Sequence, residues 1–299
     1  TNISGGVVSL AFIEYTTASV SSFNLRQESG SRCNVDWGDG TTDTNISINS
    51  KTHTYSSAGV YTIKITPVEG YTFRPEHYGA DDYQTSLTKV DGTGGSSLDT
   101  NLTKWLRDTT SLTSFGSSID TSNVTNFQAA WRGCTGLTSF PAINTSNCTN
   151  FLSTWQGCTG LTSFPLIDTS SGTTIRNAWL TCTGLTSFPV IDTSSVTEPR
   201  DAWNGCSGLT SFPALDLSSG TDFRGAWLGC TSLTSFPSIT PTSGTDFGGA
   251  WRNCIALTDY PANQFDSTGT LVSAAFNLTF SDCALTAQSI ENILTSLDT

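Results

Sequence analysis

Apolar positions between residues 112 and 285 recur on a fixed step. Trp131, Trp155, Trp179, Trp203, Trp227 and Trp251 are evenly spaced, and Cys134, Cys158, Cys182, Cys206, Cys230 and Cys254 follow each of them at one constant offset. A Leu column (Leu137, Leu161, Leu185, Leu209, Leu233, Leu257) and a Phe column (Phe140, Phe164, Phe188, Phe212, Phe236, then Tyr260) keep the same period. So strict a period predicts repeated units, each burying its apolar face against its neighbours.

Within one unit the pattern predicts three pieces. A short LTSF strand ends where Pro141, Pro165, Pro189, Pro213, Pro237 or Pro261 interrupts ladder hydrogen bonding. A D-T-S corner at Asp120, Asn144, Asp168, Asp192 or Asp216 follows, held by side-chain bonds to backbone. A helical turn such as TNFQAAWRGC then sets Phe127 and Trp131 at i, i+4 on one face. The ends depart from the period: Trp105 comes slightly too early for the Trp column, Phe276 stands for Trp slightly late after Trp251, and Cys283 is displaced. Residues 284–299 are expected to form a capping helix with Ile290, Ile293, Leu294 and Leu297 on its buried face.

The first 68 residues alternate differently. VVSLAFIEY, SVSSFNL and GVYTIKIT read as strands, and Gly38 and Gly40 allow a tight turn in which Asp39 bonds the backbone. The blocks VDWGDGT, HTY and AGVYTIKI, in that order, resemble the polycystic-kidney-disease type of immunoglobulin-like sandwich, which implies a spacer or interaction module without chemistry.

Strand, corner and helical turn within one such period make the plan of a leucine-rich repeat. The AWxxCxxL block, with Trp131, Gly133, Cys134 and Leu137 in its first copy, resembles the cysteine-bearing bacterial surface-antigen subtype. Its Trp-rich, Ser/Thr-rich form is most similar to repeats in virion proteins of marine cyanobacterial viruses. The expected fold is therefore multidomain: an all-β immunoglobulin-like sandwich followed by an α/β leucine-rich-repeat solenoid with 24-residue coils. The expected boundaries are 1–68 for the sandwich, 69–84 for a junction, 85–283 for the repeats, the first strand lying at Thr85–Asp91, and 284–299 for the cap.

Composition narrows the function. Charged residues are only 13% of the 299, and the net charge is −12. The charge is spread, with 6 basic against 11 acidic residues in 1–100 and 7 against 14 in 101–299. An acidic chain without a basic run is repelled by phosphate backbones, so nucleic acid is not an expected partner. No 18-residue apolar run predicts membrane insertion, and TNISGGVVSL lacks the features of a signal peptide. Equivalent Cys residues about 5 Å apart would be within bridging range, but their parallel Cβ vectors favour free buried thiols.

Three surface features are candidates for binding. The Thr-Ser strip, through Thr138, Thr162, Thr186, Thr210 and Thr234, could meet glycan or could merely keep a strand surface soluble. Arg176, Arg200 and Arg224 form a basic row beside Glu198, Asp222 and Asp246, either a ladder of surface ion pairs or a docking stripe. The Trp ladder could stack on sugars, yet each Trp shares a face with Phe and neighbours a buried-type Cys, which assigns it to the core. His77, beside Glu76 and near Asp81 and Asp82, is the only gathering of metal-ligand types, and no second His or Cys completes a site. Both His residues precede residue 80, and no nucleophile, zinc or phosphate-loop motif is present. No catalysis and no cofactor are expected. The resemblances imply a virion-surface fibre or decoration protein, with a bacterial cell-surface adhesin or a carbohydrate-binding accessory module as alternatives. Expected partners are other virion or cell-surface proteins and host-surface glycan, and a homo-oligomer fits.

Overall fold

A computed structural model describes residues 12–47, 49–75, 86–93, 98–266, 268, 270–272 and 275–297. Its strands are β1 (Phe12–Thr17), β2 (Val20–Arg26), β3 (Cys33–Asp36), β4 (Thr42–Ile46), β5 (Ser50–Gly59), β6 (Thr62–Pro67), β7 (Leu87–Thr93) and β8 (Ser114–Phe115), and its one helix is α1 (Ala287–Leu297).

Six strands form a sheet in the order β4-β3-β6-β1-β7-β8, and β2 pairs antiparallel with β5 in a second sheet. Strand alternation explains the core here. Ile13 and Tyr15 on β1 face inward opposite Ile65 and Ile63 of β6, with Phe23 and Leu25 buried on β2. The strand expected to open the repeat array, β7, pairs antiparallel with β1 on one side and parallel with β8 on the other. One sheet thus spans the expected 69–84 junction. Tyr15 on β1 accepts a buried hydrogen bond from Trp105 Nε1 at 2.9 Å, tying the strand-rich part to the first turns that follow.

The expected α/β leucine-rich-repeat solenoid does not form. The structure is mostly strand and turn, and its only helix among the described residues is the 11-residue α1. The physical reason lies in where the N–H groups point. Asn177, Trp179 and Thr181 donate to Arg200, Ala202 and Asn204 of the next unit, while Ala178, Leu180 and Cys182 donate three residues back within their own. Positive φ at Ala129, Ser153, Asn177, Asp201, Gly225 and Gly249, two positions before each Trp, and again at Gly133, Gly157, Thr181, Gly205, Gly229 and Asn253, two positions after it, holds this alternation and excludes an α-helix. The expected LTSF strand shrinks to β8 and the single bridge Ser235↔Asp259, since one N–H per unit reaches its neighbour before the Pro.

Equivalent residues of successive units nevertheless meet. Trp131, Trp155, Trp179, Trp203, Trp227 and Trp251 are fully buried, with ring centroids 5.1–5.9 Å apart. The Phe column from Phe115 through Phe236 to Tyr260 repeats at 5.7–6.1 Å, and each Trp meets the Phe nine positions later edge-to-face, at 4.8 Å from Trp131 to Trp227. Such pairs are worth about 0.5–1.5 kcal/mol beyond buried area. Between the columns the units come close: a Cβ on Gly160 would lie 2.5 Å from the Thr135 carbonyl oxygen.

The ends differ from the sequence reading. Leu106 N donates to Ala130 O, so Leu106, not Trp105, occupies the Trp position of the first unit. At the other end Phe280 stacks on Trp251 at 5.2 Å and Phe276 on Phe247 at 5.2 Å. Phe280 is thus the ladder residue, and Cys283, three positions on, contacts Trp251 O in register rather than displaced. Helix α1 also turns a different face inward: Ser289, Ile293 and Ser296 are buried, while Ile290, Leu294 and Leu297 are exposed. The last unit's backbone requires partners, and polar groups supply them. Tyr260 N donates to Ser289 Oγ at 3.0 Å, Phe265 N to Ser296 Oγ at 2.6 Å, and Asn292 Nδ2 to Tyr260 O at 3.1 Å.

Removing Trp179 with Ala is expected to destabilise the chain by about 3–5 kcal/mol, the cost of emptying an aromatic core position. Chemical denaturation checks this, and full stability of the variant would show that the indole is not a core group.

Candidate binding surface

The turn-forming segments leave certain columns outside. Thr138, Thr162, Thr186, Thr210 and Thr234 are exposed, because their neighbours Leu and Phe take the inward positions. The hydroxyl of each Thr from Thr162 to Thr234 donates to the carbonyl of the Thr one unit earlier, at 3.3–3.5 Å. These bonds are long and weak, and they leave the oxygens facing outward as acceptors. Beside the strip, Leu166 and Val190 stand in adjacent units at 66% exposure each. A second Thr column, exposed at Thr149, Thr173, Thr197 and Thr221 and half-buried at Thr245, bonds from unit to unit through both backbone N–H and hydroxyl. Sequence reasoning passed over both features, although the Thr six positions before each Trp and the variable residue after each Pro were visible signals.

The Arg row does not behave as one ladder. Arg176 reaches Glu198 of the next unit at 3.4 Å, but Arg200 turns to its neighbour Asp201 at 3.3 Å. Arg224 pairs with Asp222 at 2.5 Å and with Asp246 of the next unit at 3.4 Å. Its hydrogen bonds to Asp222 push the guanidinium further up from its ordinary value. Exposed pairs of this kind contribute about 0–1 kcal/mol each.

Past Arg224 the column ends at Gly248, and a cleft of about 420 Å³ opens there, lined by Arg224, Leu228, Asp246, Gly248, Arg252 and Leu278 among others. The signal for it in the sequence was the missing side chain three positions before Trp251.

The thiols are arranged for packing. All nine cysteines are free, and the six ladder cysteines are buried. Cys158 Sγ lies 3.0 Å from Trp131 O, and Cys182 Sγ 3.1 Å from Trp155 O. Burial pushes the Cys182 and Cys230 thiols up to about 12, so neither is a thiolate near neutrality. Cys283 is the exception, half-buried and drawn down by its hydrogen bond with Cys254. The six ladder indole N–H groups find no oxygen acceptor among the described residues. A buried unpaired donor costs about 1–3 kcal/mol, which edge-to-face contact with Phe offsets in part.

In the strand-rich part, Asp39 accepts from Thr41 N at 3.0 Å and from Thr41 Oγ1 at 2.6 Å, and lies 2.8 Å from His53 Nε2. His53 stacks on Trp37 at 4.7 Å. The carboxylate therefore locks the Gly38–Gly40 turn, where both glycines have positive φ. Thr41 and then His53 hold its pKa down to about 2. Among the described residues no group of three or more His, Cys, Asp and Glu could hold a metal ion, and no helix is long and apolar enough to cross a membrane. His77, Glu76, Asp81 and Asp82 lie outside the described residues.

Cys283 should react first with a disulfide reagent such as DTNB in the folded protein, and Cys283→Ser should remove that fast phase; fast labelling of a ladder cysteine contradicts the burial. A carboxylate with a lowered folded pKa stabilises above its unfolded value and loses that contribution as pH falls. The melting temperatures of wild type and Asp39→Asn should therefore differ above about pH 4 and converge as pH drops through about 2. A difference independent of pH would show that the ionised carboxylate is not what stabilises the turn.

Set against protein-family models, curated proteins and solved structures, the chain matches none of them.

Proposed function

We propose that the chain is a non-enzymatic surface protein, a fibre or decoration protein of a bacterial virion whose repeated face binds a host surface or another protein. One observation carries the reading: outward Thr columns run from unit to unit while the reactive groups are withdrawn. The thiols of the ladder are buried and protonated, and the Asp39–His53 pair is committed to a turn. Repetition instead multiplies weak, identical contacts, which suits a partner that is itself repetitive, such as a capsid lattice or a surface polysaccharide. The sequence resemblance to virion repeats supplies the setting, and the acidic charge fits a partner other than nucleic acid.

Gradient-purified particles of the encoding virus, examined by mass spectrometry and antibody labelling, should carry the chain on their exterior. Its absence from particles, with the protein anchored instead on bacterial envelopes, would overturn the virion assignment.

A further inference from the structure

The cleft beside Arg224 is where the regular surface is interrupted, and its lining is unlike the rest of the exterior. In the three preceding units the residue three before Trp is Arg176, Arg200 or Arg224, each paired with a nearby carboxylate. Gly248 replaces it, and the following residue is also glycine. The volume of an arginine side chain is thereby left open between the unit ending at Cys230 and the turn carrying Leu278, giving the cleft of about 420 Å³. That size falls in the range of small-molecule clefts, about 300–1,000 Å³.

Its charge is equally specific. Arg224 is neutralised by Asp222 and Asp246. Arg252 is exposed, and no carboxylate among the described residues lies within ion-pair distance of it. On a chain of net charge −12 the cleft thus presents one uncompensated guanidinium. Leu228 and the half-exposed Leu278 add apolar wall. Asp246 lines the cleft with Oδ1 accepting from Gly248 N at 3.0 Å and Oδ2 paired with Arg224 at 3.4 Å, and each carboxylate oxygen has a further lone pair with which to accept. A planar cation, apolar wall and a carboxylate acceptor together suit a ligand with one carboxylate, a ring face and hydroxyl donors. Asp246 disfavours a doubly charged anion such as phosphate.

We propose that this cleft binds a single carboxylate-bearing sugar, a uronic-acid residue, with its carboxylate on Arg252, its ring face on Leu228 and Leu278, and a hydroxyl on Asp246. This deepens the binding reading by naming a ligand class. It is tested on the purified 299-residue chain, so its outcome is separate from whether the chain resides on a virion.

The test is titration by calorimetry with methyl glucuronide, methyl glucoside and inorganic phosphate as probes. The glucuronide should bind saturably with a millimolar dissociation constant, and the glucoside and phosphate at least about tenfold more weakly. Arg252→Ala, at an exposed position, should weaken glucuronide by about tenfold with an unchanged melting temperature. Gly248→Arg restores the side chain that earlier units carry and should abolish binding. No saturable glucuronide binding, equal binding of glucoside, tighter binding of phosphate, or an Arg252→Ala variant that binds like wild type would each overturn the proposal. Should Gly248→Arg fail to fold, the Arg252→Ala comparison decides alone.

Discussion

Edge-to-face contact between the Trp and Phe columns is the constraint on which the repeated part depends. Each indole lies flat against the indoles above and below and presents its edge to a Phe ring, at 4.8 Å for Trp179 and Phe188. Only a fixed number of residues between successive Trp positions keeps both contacts, and the chain holds that number constant from Trp131 to Trp251. Where the count changes, the ladder residue changes too. Leu106 stands in for Trp at one end, and Phe280 takes the position after a longer connection at the other. Packing therefore governs spacing more strongly than residue identity does.

The same constraint explains why no helix forms where i, i+4 periodicity invited one. Phe151 and Trp155 stay on the buried side, but an α-helix would spend every amide within its own turn. With the rings of neighbouring units stacked as closely as Trp155 and Trp179, whose centroids are 5.5 Å apart, alternate amides can instead reach the next unit. That second network requires a left-handed residue two positions before each Trp. The sequence at this position runs Ala129, Ser153, Asn177, Asp201, Gly225 and Gly249, drifting toward residues that tolerate positive φ most readily.

What could be read from the chain follows from this. Burial of the Trp, Leu, Phe and Cys columns was legible because a strict period leaves few other interpretations. The backbone conformation was not, because an apolar i, i+4 pair is compatible with a helix and with alternating turns alike. The face of α1 was misleading for a related reason. Its apolar residues suggested the inward side, yet the buried amide and carbonyl of Tyr260 require hydrogen-bond partners, which Ser289 and Asn292 supply. The cleft was legible only as a gap in the Arg row at Gly248, a signal that has meaning once adjacent units are known to touch.

Residue-resolved amide hydrogen exchange tests the central claim most directly, that each unit spends alternate amides on the next one. Asn177, Trp179 and Thr181, which donate to Arg200, Ala202 and Asn204, should exchange only through global unfolding, at one common free energy. Rapid exchange at these three amides, with protection confined to β1, β6 and α1, would contradict it.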